Sequence, residues 1–159
     1  MPYNEDLLLK NLFHALSNLS IVVLDLNDLK LVNNTLGHEK GDEYLVEASS
    51  LMCKFFPNSK VFRIGGDEFA IILEGEDYSN RYEIVKEFNT LMEKNIKEEV
   101  DVLIALGISD YDENTDKSYQ TVFERADKAM YTRKNELKNL EKSALKNKKL
   151  KEKNKQKLW

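Results

Sequence analysis

The chain has few of the residues that form cross-links, tight turns or membrane spans. Its 159 residues include one cysteine, two prolines and six glycines. The single Cys53 rules out an intramolecular disulfide framework and suits a reducing compartment. No apolar run approaches the roughly 20 residues of a spanning helix, and the N-terminus lacks a basic region followed by an apolar one. We therefore expect a cytoplasmic domain, alone or as the cytoplasmic part of a membrane-bound parent protein.

Charge is abundant and unevenly distributed. Charged residues make up 33% of the chain and hydrophobic residues 42%, which is enough for one sizeable core. Residues 141–159 carry eight lysines and two glutamates, a net charge of +6, whereas the whole chain carries -4. Residues 1–140 therefore carry -10. We interpret residues 1–140 as one domain and residues 141–159 as a Lys-rich extension, either helical or disordered.

The order of apolar patterns predicts an α/β domain. The β-branched run at 20–26 is typical of a buried strand. Strand-like runs at 60–64 and 68–74 flank Gly65-Gly66-Asp67, a hairpin signal because glycine supplies the positive φ angles of a tight turn. Strands joined by a hairpin are antiparallel, so a purely parallel sheet is excluded.

A helix-like stretch to Leu36 follows the first strand, and helical spacing of apolar residues predicts three long helices after it. The first starts at Asp42 and stops at Pro57. The second covers 80–97 with Tyr82 on its inner face, and the third begins near Ser118. A further strand is predicted over 100–108, so the order from the first strand is β-α-α-β-β-α-β-α.

Carboxylate side chains lie at the ends of two predicted strands, where burial in an apolar core would be unfavourable. Asp25 lies near the end of the first strand, and Asp67 and Glu68 lie in and after the hairpin turn. If these strands are neighbours, the three carboxylates converge and repel one another unless a cation neutralises them. A few carboxylates together with substrate phosphates form a typical Mg²⁺ site. The alternatives are ordinary ones: a turn or cap role for Asp25 and plain hairpin chemistry for the Gly-Gly-Asp turn.

The segment after Asp25 predicts a phosphate site. A strand that runs into a helix start at 27–30 points free N–H groups outward, and these suit phosphate oxygens. Lys30, Lys134 and Lys138 are available cations. For Lys134 alone, a place on a solvated helix face is the simpler interpretation.

The run Arg63-Ile-Gly-Gly-Asp-Glu-Phe69 contains the signature of the GGDEF family, the diguanylate cyclases, and the chain resembles that family over about residues 3–139. Further stretches are similar to family motifs in the same order: Pro2-Tyr3-Asn4, Asp25-Leu-Asn-Asp-Leu-Lys30 with Asn33, Gly37-His-Glu-Lys-Gly-Asp42, and Ala126-Asp-Lys-Ala-Met-Tyr131 with Lys134. The resemblance implies an α/β (α+β, palm-like) fold with a central mixed, largely antiparallel sheet and flanking helices, similar to adenylyl cyclase catalytic domains. It also implies condensation of two GTP into cyclic di-GMP with release of two pyrophosphates.

The resemblance also assigns roles to residues. Asp67 and Glu68 are implied to be catalytic, and two Mg²⁺ (or Mn²⁺) ions per GTP site are implied to be held by Asp25, the carbonyl of Leu26, Asp67 and Glu68. Guanine recognition falls to Asn33 and Asp42; His38 either lines the base pocket or is a polar loop residue. Phosphate binding falls to the backbone of Asn27, Asp28 and Leu29 and to the side chains of Lys30, Lys134 and Lys138. Catalysis is implied to need a face-to-face homodimer, and members of the family often carry sensor or regulatory domains in a longer parent chain.

The sequence departs from the family pattern at three places. The Arg-x-x-Asp inhibitory site is replaced by Phe56-Pro-Asn-Ser59, so we expect no such site. The closing Gly-Arg-Asn is replaced by Leu137-Lys138-Asn139, and without the glycine the last helix is expected to continue into the Lys-rich extension. The usual aromatic residue of the metal-binding motif is Leu29, which we interpret as core packing.

Three functions were compared. The first is an active diguanylate cyclase, and the second is a catalytically weak GTP-binding or signalling module. The third is nonspecific nucleic-acid binding by the Lys-rich extension. We do not expect the third, because the extension has no interleaved aromatic residues and the rest of the chain is acidic.

Overall fold

A four-stranded sheet forms the centre of the part of the chain that the computed structural model describes, residues 18–100 and 102–156. The strands are β1 (Ser20–Leu26), β2 (Lys60–Arg63), β3 (Glu68–Ile72) and β4 (Ile104–Asp110), in the order β2-β3-β1-β4. All three pairings between these strands are antiparallel. The prediction of a largely antiparallel sheet with flanking helices is confirmed. The entry motif at residues 2–4 lies outside the described residues.

Five helices connect and flank these strands within the described part of the chain. They are α1 (Leu29–Leu36), α2 (His38–Phe55), α3 (Gly75–Ser79), α4 (Arg81–Glu98) and α5 (Tyr119–Gln156). Gly37 separates α1 from α2 with φ of 90°, a conformation that favours glycine. None of the helices in this part of the chain is long and apolar enough to cross a membrane.

The two faces of the sheet pack against different helices. Side chains alternate along a strand, so Val23 and Asp25 share one face of β1. That face is covered by α5, whose backbone approaches Gly107 of β4 so closely that a Cβ there would lie 2.1 Å from the amide nitrogen of Met130. On the opposite face, Phe55 of α2 and Phe88 of α4 meet edge to face, with ring centroids 5.1 Å apart.

Helix α5 is one uninterrupted helix of 38 residues, or about 57 Å. It passes the fully buried Leu137 and continues through the Lys-rich segment to Gln156. This agrees with the expectation that the helix runs on where the family's glycine is missing. Lys148 Nζ lies 2.6 Å from Glu99 Oε1, so the extension contacts the end of α4.

Helix α2 begins at His38 rather than at Asp42, directly after the turn at Gly37. Two further local expectations were wrong. Strand β4 begins at Ile104 rather than at residue 100. The Leu103 carbonyl still accepts from Asn27 N (2.9 Å) in the register of β1 and β4, but the reciprocal bond is interrupted by the Tyr44 hydroxyl, which accepts from Leu103 N (3.1 Å) and donates to the Asn27 carbonyl (3.1 Å). Tyr82 is 60% exposed instead of facing inward. Its ring lies over the Arg81 guanidinium and its hydroxyl donates to Asp110, so polar contacts hold it at the surface.

Candidate active site

Asp25 and Glu68 stand directly opposite each other in the sheet. They are cross-strand partners in the antiparallel register of β1 and β3, so their side chains leave the same face. Asp25 is only 5% exposed, whereas Glu68 is partly exposed. Two like charges directly opposite each other destabilise a sheet. Stability of the fold therefore does not explain why carboxylates occupy both positions.

The hairpin turn brings the third acidic residue to the same edge. The carbonyl of Asp67 accepts a hydrogen bond from Leu26 N (2.8 Å), which fixes the turn against the end of β1. Arg63 closes the turn from the other side, donating from Nε to the Gly65 carbonyl (3.1 Å) and from Nη2 to the Gly66 carbonyl (2.7 Å). The predicted convergence of Asp25, Asp67 and Glu68 at one edge is therefore present.

The reason given for the two glycines of the turn was wrong. Neither Gly65 nor Gly66 has a φ in the left-handed range. A Cβ on Gly65 would lie 2.9 Å from Glu68 Oε2, whereas a Cβ on Gly66 would meet nothing within 4 Å. The first glycine therefore leaves room for the Glu68 carboxylate rather than supplying an unusual backbone angle.

The carboxylates at this edge perturb one another. Burial raises the pKa of Asp25, and the nearby Lys134 opposes that rise. Burial also raises the pKa of Glu68, and the negative charges of Asp25, Asp67 and Asp127 raise it further. In a folded protein such clusters occur where a cation or a reacting group is to be held.

Lys134 is the cation closest to this cluster that the structure gives. It projects from α5, and its Nζ lies 2.6 Å from Asp25 Oδ1. Lys138, one helical turn later, also lowers the pKa of Asp25 through its charge. Both lysines are half-buried, so α5 directs two of the predicted phosphate ligands towards the acidic edge.

The donor set suits a hard divalent cation. Carboxylate and carbonyl oxygens are the ligands that Mg²⁺ prefers, and its remaining positions are usually filled by water and substrate phosphates. Among the described residues, no three Asp, Glu, His or Cys side chains lie close enough together to hold a metal by themselves. A metal here would thus take Asp25, Glu68 or Asp67 and the Leu26 carbonyl, and would depend on phosphate oxygens to complete its shell.

The predicted phosphate turn has an unusual conformation and an unsatisfied side chain. Asp28 adopts a left-handed conformation with φ of 60° directly before α1. Asn27 is 1% exposed, and neither its side-chain oxygen nor its nitrogen has a hydrogen-bond partner among the described residues. It lines a cavity of about 310 Å³ together with Asp28, Tyr44 and Glu141. A buried amide of this kind points to a bound ligand or water. Lys30, another predicted phosphate ligand of this segment, lies on α1 and is exposed.

The predicted guanine residues lie at the junction of α1 and α2. The Asn33 amide packs against Gly41, where a Cβ would lie 1.7 Å from Asn33 Oδ1. Asp42 follows Gly41 and is exposed, as is His38 at the first position of α2. The fold thus places Asn33 beside the backbone that carries Asp42.

The positions that would form an inhibitory site have structural roles. Phe56 is fully buried, and the Ser59 hydroxyl donates to the buried Asp77 carboxylate (2.7 Å). Asp77 also accepts from the Asn58 backbone N–H at 2.8 Å. These contacts use the polar groups of the turn internally.

Two residues that contribute to this edge were not predicted from the sequence: Asp127, whose charge acts on Glu68, and Arg63, which bonds the hairpin turn. Asp127 precedes Lys134 by seven residues, which is about two turns of α5, so both lie on the same side of the helix. The seven-residue spacing from Asp127 to Lys134 could therefore have indicated Asp127 from the sequence. The role of Arg63 depends on the conformation of the hairpin and could not be inferred from spacing.

An antiparallel sheet with flanking helices, which presents opposed carboxylates beside a helix N-terminus, defines a palm-like α/β fold. The sequence matches the family described as diguanylate cyclase, GGDEF domain, over residues 5–140. The chain belongs to the GGDEF domain family.

Solved structures of this family have the same fold. The active GGEEF domain of a diguanylate cyclase from Vibrio cholerae is 25% identical, with a TM-score of 0.60, covering 72% of this chain and 74% of that one. A microbial GGDEF domain solved with bis-(3′,5′)-cyclic di-GMP is 26% identical, with a TM-score of 0.58 and coverage of 82% and 83%. The GGDEF domain of DgcB from Caulobacter crescentus, in complex with c-di-GMP, is 24% identical with a TM-score of 0.60 and 82% coverage of each chain, and shares the fold.

Curated relatives are longer proteins. Uncharacterised membrane proteins of Staphylococcus aureus (strain USA300) and Staphylococcus haemolyticus are each 27% identical over 128 residues. The match covers 77% of this chain but 36% of each relative, so the chain spans about a third of their length.

Proposed function

We propose that this chain is a diguanylate cyclase domain that condenses two GTP into cyclic di-GMP and releases two pyrophosphates. The observation that carries the proposal is the cross-strand pair Asp25 and Glu68, beside Asp67 in the GGDEF hairpin. Similarity to an active diguanylate cyclase domain and to domains solved with cyclic di-GMP supports it. Each chain would hold one GTP, and two chains would meet face to face.

The chemistry follows from the arrangement of charges. In each half-reaction, the 3′-oxygen of one GTP bonds to the α-phosphorus of the other, and the bond from that phosphorus to pyrophosphate breaks. The 3′-hydroxyl proton passes to a carboxylate of the signature, Asp67 or Glu68. Lys134, Lys138 and the N–H groups at 27–30 would bind the triphosphate and orient it. Bound Mg²⁺ or Mn²⁺ would lower the pKa of the hydroxyl and neutralise charge on the phosphate.

Guanine selection would rest on Asn33 and Asp42. A carboxylate accepts from guanine N1–H and N2–H₂, which adenine does not offer, so ATP would leave polar groups unpaired. The position of Asn33 against Gly41 makes this part of the proposal testable with a small change.

We expect Gly41→Ala to weaken GTP binding about tenfold while the protein stays folded. The new Cβ displaces the Asn33 amide, which is the end of a flexible side chain, and alanine is the better helix former within α2. Isothermal titration with GTP measures the affinity, and thermal unfolding measures the stability. Asn33→Ala is the reference, since both changes should weaken binding to a similar extent; full GTP affinity in both variants would contradict the guanine assignment.

We expect no product inhibition through the position of residues 56–59. The buried Phe56 and the Ser59–Asp77 contact leave no cation or free carboxylate there for a bound dinucleotide. Titration with cyclic di-GMP should therefore show no tight site on the face that carries these residues. Tight binding that is lost in Arg63→Ala, the exposed arginine nearest to it in sequence, would contradict this expectation.

The alternative is a catalytically weak GTP-binding module. Its support is the altered end of the family motif, where Lys138 replaces an arginine and cannot reproduce its bidentate geometry. In either case we place the domain in the cytoplasmic part of a longer protein with sensor or regulatory segments; the names of the curated relatives support the membrane-bound parent protein. We do not propose nucleic acid as a partner.

One incubation separates the two functions. Purified protein with GTP and Mg²⁺ or Mn²⁺ should form cyclic di-GMP, identified by chromatography and mass, and ATP should not be consumed. If GTP binds but no cyclic di-GMP forms at any protein concentration, the binding-module function stands and the cyclase proposal is overturned.

A further inference from the structure

Asp25 is a buried carboxylate whose charge is balanced by a lysine. It is 5% exposed at the end of β1, and Lys134 Nζ lies 2.6 Å from its Oδ1. A buried charge is tolerated in a fold only when it is paired, and removal of one partner leaves the other uncompensated. Within the part of the chain that the structure describes, the Lys134 ammonium is thus the ion-pair partner that compensates the buried Asp25 carboxylate.

The surroundings of Asp25 favour a cation strongly. Glu68 faces it across the ladder, and the charges of Asp67 and Asp127 act on the same group of carboxylates. Against these four acidic residues, Lys134 makes an ion pair with Asp25, and Lys138 contributes charge from one turn further along α5. The edge is thus an acidic cluster with its counter-ion supplied by the helix that crosses it.

Asp25 and Lys134 also have roles in the proposed reaction. Under the proposed function, Asp25 holds a metal ion and Lys134 contacts the β- and γ-phosphates. The Lys134 ammonium lies 2.6 Å from Asp25 Oδ1, so a metal ion that took this oxygen would displace the ammonium from it. The displaced ammonium, with its three N–H donors, would then be available to the triphosphate.

We propose that Lys134 occupies the place of the metal ion at Asp25 in the nucleotide-free protein, and that it exchanges onto the triphosphate when metal and nucleotide bind. This rests on the proposed function for the identity of the phosphate ligand. The exchange makes metal binding weak without nucleotide and strengthened by it, and by linkage nucleotide binding is strengthened by metal to the same degree. The domain therefore binds a divalent ion only weakly until the substrate is present.

The test is metal binding without nucleotide, so its outcome does not depend on whether the protein is an active cyclase. Mn²⁺ alone is titrated at neutral pH into the wild-type protein and into Lys134→Met. We expect the variant to bind Mn²⁺ at least about tenfold more tightly, and Mn²⁺ to raise its thermal unfolding temperature more than it raises that of the wild type. Lys134→Gln, which removes the charge but keeps a polar side chain, is the second variant in case the methionine variant does not fold, and should show the same direction.

Matched controls separate exchange from a loss of positive charge. Lys128→Met removes an exposed lysine of the same helix and should leave Mn²⁺ affinity unchanged. Lys134→Arg keeps the ion pair and should bind Mn²⁺ as weakly as the wild type. Adding Asp25→Asn to Lys134→Met should abolish the gain. Equal Mn²⁺ affinity in wild type and both folded Lys134 variants, or a gain that survives Asp25→Asn, would overturn the exchange and leave a purely structural ion pair.

Discussion

Glu68→Gln is expected to lower cyclic di-GMP formation at least about a hundredfold while leaving the domain folded. The amide keeps the size of the side chain but removes the negative charge that metal binding or proton uptake needs. Burial and the neighbouring carboxylates raise the pKa of Glu68, so the folded protein disfavours its ionised form. Loss of that charge at neutral pH should leave the thermal unfolding temperature unchanged or raise it. Rates with GTP and unfolding curves measure the two effects.

The control for this variant is an acidic residue away from the edge. Glu87→Gln removes an exposed carboxylate of α4 and should change neither the rate nor the stability. A Glu68→Gln protein with the wild-type rate would show that the signature carboxylate is not part of the reaction. A loss of rate accompanied by unfolding would instead assign Glu68 a structural role, contrary to the expected gain or neutrality in stability.

Gly107→Ala is expected to destabilise the domain by at least about 3 kcal/mol. The added Cβ would lie 2.1 Å from Met130 N, 2.2 Å from the Ala126 carbonyl oxygen and 2.8 Å from the Ala129 carbonyl carbon. These are backbone atoms of α5, so relief requires movement of the helix rather than rotation of a side chain. Because α5 also carries Lys134, any folded fraction should bind GTP more weakly. Denaturant unfolding measures the loss.

Gly66→Ala is the matched control for the sheet glycine. It lies in the hairpin turn, where a Cβ meets nothing within 4 Å and φ is not in the left-handed range. We expect a stability change within about 0.5 kcal/mol. If Gly107→Ala were as stable as Gly66→Ala, the close packing of α5 on β4 would be contradicted, and with it the placement of Lys134 beside Asp25.

Local signals in the sequence predicted the elements that depend on neighbouring residues alone. The bounds of β1 agree with the apolar run at 20–26, and the hairpin lies where the glycine pair indicated it. The continuation of α5 past Leu137 also followed from a local feature, the missing glycine. The start of β4 was missed because residues 102 and 103 are as apolar as the strand, and only the Tyr44 hydroxyl, which lies between Leu103 N and the Asn27 carbonyl, ends the ladder there.

The three acidic residues of the candidate site were predicted from the sequence, but the contacts between the residues of the site were not. The strand ends indicated that Asp25, Asp67 and Glu68 meet, but the register that sets Asp25 against Glu68 is a property of two strands far apart in sequence. The contact between Lys134 and Asp25 joins residues still further apart, through the packing of α5 on the sheet. The charge of Asp127 acts on Glu68, and this too depends on the packing of α5 on the sheet rather than on a motif position.

Cyclic di-GMP formation as a function of protein concentration tests the central claim most directly. If two chains meet face to face, each with one GTP, then the rate per chain should rise with protein concentration until the pair is populated. GTP and Mg²⁺ are held in excess, and the dinucleotide is quantified by chromatography. We predict product whose specific rate increases with concentration and that is absent in Glu68→Gln. No cyclic di-GMP at any concentration, from folded protein that binds GTP, would contradict the account.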